Sequence, residues 1–348
     1  MKVSVIVPCH NSSEYVETCI KHLVSQTIGL DNMEIILVDD ASDDGGKTVD
    51  ILMKYEAMYP DSIMVIKLTE NVRQGGARNV AIGYTSGEYI AFCDSDDWLR
   101  DNALEFLYNI ASGNDADEVE FDMFGAFSKE EISKLENESA EIPDEIKFVE
   151  ITDINDRKWN IFREDSNLGH PSKMYRGDMI RDNNVRFMEG GAFEEPAFTL
   201  MVRFLEKRYV RIHVPLYCVY IHQNSTVQSD YEPRKFDNAR THDFLYRNLC
   251  EKGFLQDYGD EVRYLFWYWY YLNTMLFAVD RGVFFKEDEL IVMQNRVREV
   301  VTDIGNNPYF TKYWGTVPEL ATLTYCDIRE VGVETLKEVF TKLNSLCN

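Results

Sequence analysis

Tyr89-Ile90-Ala91-Phe92-Cys93-Asp94-Ser95-Asp96-Asp97 is the stretch on which the fold turns. Its first half is apolar without interruption, as a strand covered on both faces requires, and carboxylates follow at once. Asp-x-Asp in an extended chain puts both side chains on one side. Carboxylate oxygens suit Mg²⁺ or Mn²⁺, which bind through one or two protein carboxylates plus the phosphates of a substrate. The strand end therefore reads as a place for a metal-bound diphosphate. The same residue types also build turns and cap helices, and the stretch by itself leaves that alternative open.

Three similar units precede it. Lys2 to Val7 is a β-branched run that ends in Pro8-Cys9-His10-Asn11, and Tyr15, Val16, Cys19, Ile20, Leu23 and Val24 then repeat at helical spacing. Glu34 to Val38 is a second strand, ending in Asp39-Asp40 and followed by helical Val49, Leu52, Tyr55 and Met58. Ile63 to Leu68 is a third, running into a polar loop from Asn71 to Asn79 ahead of a helix through Val80, Ala81 and Tyr84. Strands alternating with helices predict a doubly wound, mostly parallel α/β sheet with right-handed crossovers, in which ligands gather beyond the carboxyl ends of the strands. Pro8 to Asn11, Asp39-Asp40, Asn71 to Asn79 and Asp94 to Asp97 all lie at such ends. Four loops on one rim predict a nucleotide-type site.

In order and spacing, these motifs resemble the inverting family 2 glycosyltransferases of the GT-A fold. The resembling segments are Val3 to Asn11, Val38-Asp39-Asp40-Ala41-Ser42-Asp43-Asp44-Gly45, Ala77-Arg78-Asn79, Ser86 to Ile90 and Asp94 to Asp97, then Lys173 to Arg176, Phe193-Glu194-Glu195 and Tyr220 to Ser225. The resemblance covers roughly residues 1–228, of which 1–115 would bind the nucleotide sugar and 116–228 the acceptor. Residues 229–348 lie beyond it and read from their own pattern as a mainly helical C-terminal region.

The resemblance also implies roles. Asp96 is the expected ligand of Mn²⁺ or Mg²⁺, and Asp94 would take the ribose hydroxyls or the metal, with Ser95 between them. Asp40 would accept from the uracil ring N–H beside Asp39, and Arg78 would contact the diphosphate or form a salt bridge. Pro8, His10, Asn11 and Asn71 would line the nucleotide sugar. His222, where relatives often carry Arg, would reach metal or phosphate. Asp97 would cap the next helix or join the site. The catalytic base in the family is an Asp after a Glu; here Glu195 stands in that place after Glu194, and either glutamate could face the substrate. The implied reaction moves a hexose from a UDP-sugar to a hydroxyl of a surface glycan or lipid-linked acceptor, with inversion.

Composition limits the partners. The 348 residues carry 36 Lys+Arg against 60 Asp+Glu, a net charge of -24 that excludes nonspecific attraction to nucleic acid and gives no support to a charged membrane contact. Seven scattered cysteines without a Cys-x-x-Cys pair read as cytoplasmic thiols, and the N-terminus enters a strand rather than a signal peptide. The enzyme is expected in the cytoplasm, with the inner face of the membrane as the alternative placement.

Residues after 116 are expected to open with a strand through Val119, Phe121 and Met123, and Lys129 to Glu150 reads as an acidic surface loop or short helix. Helices are expected around 236–252, 260–281, 287–304 and 331–346. Within them Tyr264 to Val279 is uncharged and aromatic, too short for the ~20 residues of a membrane span, and is read as a core helix or homo-oligomer interface, with a membrane-contacting face as the alternative. Two other activities compete. A nucleotidyltransferase would want a Gly-rich basic loop after the first strand, and Pro8 to Ser13 has no Gly, Lys or Arg. A nucleotide-sugar-binding module without catalysis stays open, against the presence of Asp94, Asp96 and Glu195.

Overall fold

The computed structural model describes residues 1–127, 146–221 and 232–347. The chain divides into two compact units, Met1–Gly190 with Phe198–Gln228, and Gly191–Ala197 with Ser229–Asn348.

The first unit is built on a sheet of nine strands among the described residues: β1 (Val3–Cys9), β2 (Met33–Asp39), β3 (Ile63–Lys67), β4 (Tyr89–Phe92), β5 (Trp98–Leu99), β6 (Glu118–Ala126), β7 (Ile146–Glu150), β8 (Lys173–Arg176) and β9 (Arg208–Tyr220). The order is β3-β2-β1-β4-β8-β6-β9-β5, with β7 also on β9. From β3 to β4 every pairing is parallel; β8 then runs antiparallel to both β4 and β6. The chain leaves β1 in one direction to β2 and β3 and returns on its other side as β4, which makes the β1/β4 gap a topological switch point. Every residue of β1 and β4 is buried, as expected for strands covered on both faces. The doubly wound expectation holds, and the second half of the sheet is mixed.

Val3, Val5, Val7, Ile35, Leu37, Ala91 and Cys93 belong to one core cluster with Val16, Cys19, Ile20 and Leu23 of α1 (Val16–Val24). The i, i+3, i+4, i+7 spacing of those four residues is what turns one stripe of α1 onto the sheet. α2 (Lys47–Met58) supplies Leu52 and Tyr55 to the same cluster, and α4 (Ala103–Gly113) supplies Leu104 and Leu107. Elsewhere in the unit Phe92, Tyr175, Phe187 and Phe198 pack edge to face or stacked, with ring centroids 4.1 to 6.1 Å apart.

α3 (Arg73–Ile82) corrects the sequence reading, which left most of Asn71 to Asn79 as loop. Gly75 and Gly76 each cost a helix about 1 kcal/mol in propensity, so the sequence argues locally against it. Both are buried, and a Cβ on Gly76 would fall 2.7 Å from the Val72 side chain, so packing needs the missing atoms and overrides propensity.

Gly87, just before β4, has a related role. Its added Cβ would lie 2.5 Å from Ser4 Oγ, 2.6 Å from Ser4 N and 2.8 Å from Tyr89 O. Gly87→Ala must therefore push β1 and β4 apart at the switch point, and a loss of about 1–3 kcal/mol is expected in thermal or urea denaturation. Pro215 of β9 sits where the β6 pairing slips register, a place where its missing N–H breaks no ladder bond. The remaining helices of this region are α5 (Ile154–Ile161), α6 (Gly177–Asp182) and α7 (Glu195–Leu205), which spans the division between the units in sequence.

The second unit is helical. α8 (Asp237–Glu251), α9 (Gly259–Leu265), a π-helical segment (Phe266–Asn273), α10 (Thr274–Asp280) and α11 (Glu287–Val300) lead to short helices Pro308–Trp314, Glu319–Tyr325 and Ile328–Val331, and then Val333–Cys347. The aromatic run is core: Trp267, Tyr271, Leu272, Met275 and Ala278 are all buried. Within its π-helical segment the Trp269 carbonyl accepts side-chain hydrogen bonds from Asn238 Nδ2 (2.9 Å) and Thr274 Oγ1 (3.1 Å). Thr274, a polar exception in the sequence run, thus has its partner within the unit. Among the described residues no helix is long and apolar enough to cross a membrane.

Candidate active site

The loops after β1 and β2 are clasped together. Asn11, held at φ 51, donates its Nδ2 to Asp43 Oδ1 (2.6 Å), accepts the Asp43 N–H on Oδ1 (2.9 Å) and donates its own N–H to Ser42 Oγ (3.0 Å). His10 donates Nδ1–H to the Asp40 carbonyl (2.8 Å), which leaves Nε2 as the acceptor nitrogen, and Asn71 Nδ2 lies 3.3 Å from the ring nitrogens. Pro8 lies buried in β1 opposite Val38. The expected rim residues Pro8, His10, Asn11, Asp39, Asp40 and Asn71 therefore come together through direct contacts or strand register.

Asp39 and Asp40 are buried neighbours with different employment. Asp40 Oδ1 accepts the Val72 N–H (2.7 Å) and so anchors the entrance to α3. Asp39 Oδ2 faces the Ser42 N–H at 3.4 Å, while its Oδ1 is buried with no partner among the described residues. A buried carboxylate oxygen left unmatched is costly, and a donor supplied by a ligand would remove that cost.

At the end of β4, Asp94 Oδ1 accepts from Arg78 Nη2 (2.6 Å), and Arg78 also donates to Gln74 Oε1 (3.2 Å). Arg78 is fully buried and forms the salt bridge to Asp94 that the sequence offered as one of its two roles. His170 Nε2 lies 3.9 Å from the same Asp94 oxygen. Burial, followed by the charge of Arg78, holds the His170 imidazole well below its ordinary pKa, so it is neutral at physiological pH. Its ring packs edge-on against Phe92 (5.2 Å) and Phe187 (5.6 Å). Lys173 fixes the approach by donating to the Gly169 carbonyl (2.7 Å) and to Asn167 Oδ1 (3.0 Å). Asp94 and His170 thus offer ligand atoms close enough to share one cation. Ser95 and Asp96 are half-buried beside them in sequence.

Asp97 does not cap a helix. α4 has Asn102 at its N-cap position, whereas Asp97 Oδ2 accepts from Tyr217 OH (2.8 Å) and Oδ1 from the Tyr220 N–H (2.8 Å). Burial, then the charges of Asp94 and Asp96, push its pKa well above the usual carboxylate range. Sequence reading missed both His170 and Tyr217. His170 offered only its nearness to Lys173, and Tyr217, 120 positions from Asp97, offered no signal.

In the second unit Phe193 takes φ 62, with its ring 5.3 Å from Phe277, and the Ala192 N–H donates to Asp237 Oδ2 (2.9 Å). Those contacts deliver Glu194, which is buried, and Glu195, which opens α7 with Pro196 behind it. A proline in the first turn starts a helix without losing an intrahelical bond. His222 lies outside the described residues.

The sequence model described as Glycosyl transferase family 2 matches residues 4–164. EpsH of Bacillus subtilis (strain 168), which carries a glycosyltransferase name, is 30% identical over 275 residues, 75% of this chain and 72% of EpsH. A poly(ribitol-phosphate) beta-glucosyltransferase of Bacillus spizizenii is 38% identical over 117 residues, 34% of this chain but only 18% of that protein's length. Among solved structures, S. aureus TarS 1-349 in complex with UDP-GlcNAc has a TM-score of 0.74 at 20% identity, covering 98% of this chain and 92% of that one, a likeness of fold. The chain belongs to glycosyl transferase family 2 and carries its GT-A fold.

Proposed function

We propose that the protein is an inverting, metal-dependent glycosyltransferase that moves a hexose from a UDP-sugar to a hydroxyl of a surface glycan or lipid-linked acceptor. The observation that carries this reading is the meeting of the His10, Asp39-Asp40 and Asn71 loops at the β1/β4 switch point, where β4 also ends in its acidic tip. The relatives add weight: one is named as a beta-glucosyltransferase acting on poly(ribitol-phosphate), and TarS is described with UDP-GlcNAc.

Either Asp39 or Asp40 takes the uracil N–H. The resemblance points to Asp40, whereas the unmatched Asp39 oxygen favours Asp39. Arg78 orients Asp94, and contact to the diphosphate stays its second proposed role. The donor set fits Mn²⁺ or Mg²⁺: hard oxygens from Asp94 and Asp96, and the neutral imidazole of His170 for Mn²⁺ in particular. When bound, such a cation neutralises charge on the departing diphosphate. His222 keeps its proposed place as a metal or phosphate partner. Glu195 takes the proton of the acceptor hydroxyl while that oxygen bonds to the anomeric carbon, and the bond to the diphosphate oxygen breaks with its electron pair leaving on UDP. The cytoplasm, where free Cys9, Cys19 and Cys93 stay reduced, is the proposed compartment. Residues 229–348 are proposed to serve acceptor handling or self-association.

UDP release from a panel of UDP-sugars, measured without acceptor, tests the reading. Release is expected with Mn²⁺, to vanish in EDTA, and to fall by about 100-fold or more in Asp96→Asn. Undiminished release in chelator would overturn the metal assignment, and nucleotide binding without any release in the presence of metal would favour the silent binding module.

A further inference from the structure

We infer that Tyr217 and Asp97 are positioning residues that fix the backbone of Asp94, and through it the acidic tip. The inference deepens the proposed function and uses that reading for the role of the tip.

The last sheet bond of β4 is the Cys93 N–H to the Ile6 carbonyl (3.0 Å). One residue further, the Asp94 N–H has passed the end of the pairing with β1, whose register stops at Phe92 opposite Ile6. Tyr217 Oη accepts it at 3.0 Å. A phenol has a single proton, and that proton goes to Asp97 Oδ2 (2.8 Å), so the chain has one direction: Asp94 N–H to Tyr217 O–H to Asp97 carboxylate. A carboxyl oxygen as the final acceptor polarises the hydroxyl and strengthens the bond it accepts. The second Asp97 oxygen takes the Tyr220 N–H (2.8 Å), and the Asp97 N–H closes a turn on the Asp94 carbonyl (3.0 Å). Both Asp97 oxygens are thereby hydrogen-bonded, and the residue is 5% exposed, which sets it apart from the half-buried Asp94 and Asp96 as a positioning residue.

The bonds cross a wide part of the sheet. β8 and β6 lie between β4 and β9 in strand order, yet the Asp94–Asp97 loop is tied to β9 directly. β5 adds backbone pairing immediately after it, Trp98 opposite Cys218 and Leu99 opposite Tyr217. A ligand loop held at both ends keeps its carboxylates in place before substrate arrives, which is what charge stabilisation without reorganisation demands.

Tyr217→Phe removes one oxygen and keeps the ring, and Asp97→Asn is a milder second variant that keeps one acceptor. Amide hydrogen exchange at Asp94 is expected to accelerate about tenfold in each. Mn²⁺ titration with UDP present, followed by electron paramagnetic resonance, is expected to show about tenfold weaker metal binding in each, and the double variant should be no worse than the worse single one. Wild-type exchange at Asp94 in Tyr217→Phe would overturn the inference. So would loss of Mn²⁺ in Asp97→Asn with full retention in Tyr217→Phe, because Asp97 would then be a ligand. Exchange is read without any reaction: if wild type neither binds Mn²⁺ nor releases UDP, the proposed function fails while the exchange result still decides the tether.

Discussion

Glu195→Gln is expected to lower sugar transfer by about 10²–10⁴-fold, the usual worth of a positioned general base, while UDP affinity stays within about twofold. The substitution preserves length, shape and one acceptor oxygen, and removes the charge and with it the capacity to accept a proton. Because Glu195 stands at the first position of α7, a neutral side chain there gives up a modest helix-terminus interaction of about 0.3–1 kcal/mol, too little to unfold the chain. A loss of that size in kcat, with UDP binding intact by calorimetry, would identify the base. Glu194→Gln is the comparison: Glu194 is buried beside it, and its substitution is expected to act on stability more than on rate. Equal loss of UDP binding and transfer in Glu195→Gln would move the base to another residue, and a larger loss in Glu194→Gln would move it to Glu194.

The parts of this molecule that the sequence makes readable are those whose cause is local. β1, β2 and β4 announce themselves as short apolar runs that end in polar residues, and the ends of parallel strands meet on one rim wherever the crossovers share a hand. The Asp39-Asp40 and Asp94 to Asp97 clusters were legible for that reason. The first turns of α3 were not, because Gly75 and Gly76 speak against a helix until the packed neighbours are known. The division of labour between Asp39 and Asp40 depends on one amide, that of Val72, 32 residues away. Arg78 could serve phosphate or a salt bridge, and only the fold shows which acid it meets, Asp94 at 2.6 Å. Asp97 is the clearest case. Its spacing fits a cap or a ligand equally well, and its partners Tyr217 and Tyr220 arrive from β9 with no trace in the local pattern.

Arg163→Met is expected to destabilise the first unit by about 3–5 kcal/mol, because it removes one partner from a buried ionic cluster and leaves the others in place. Arg163 donates Nη2 to Glu118 Oε1 (2.6 Å) and Nη1 to Glu206 Oε1 and Asn160 Oδ1, and its guanidinium lies 3.7 Å from the centre of the Tyr209 ring. The side chains of Arg163, Glu118 and Glu206 have no exposure at all. Burial holds the Glu118 pKa up to about 8, the charge of Glu206 pushes the same way, and Arg163 is the strongest influence pulling it down. Without Arg163 the carboxyl rises further. An acid whose folded pKa exceeds its unfolded value of about 4.5 stabilises the fold fully only below that value, and the contribution is lost as pH climbs through the folded one. The deficit of Arg163→Met should therefore be smaller near pH 5 and grow towards and past pH 8, which urea denaturation at several pH values can follow. Adding Glu118→Gln and Glu206→Gln to Arg163→Met should recover a large part of the loss and flatten its pH dependence, since no uncompensated charge then remains. A deficit that stays the same at every pH, and that the two glutamine substitutions fail to reduce, would mean that Arg163 acts through its packing on Tyr209 rather than through its charge.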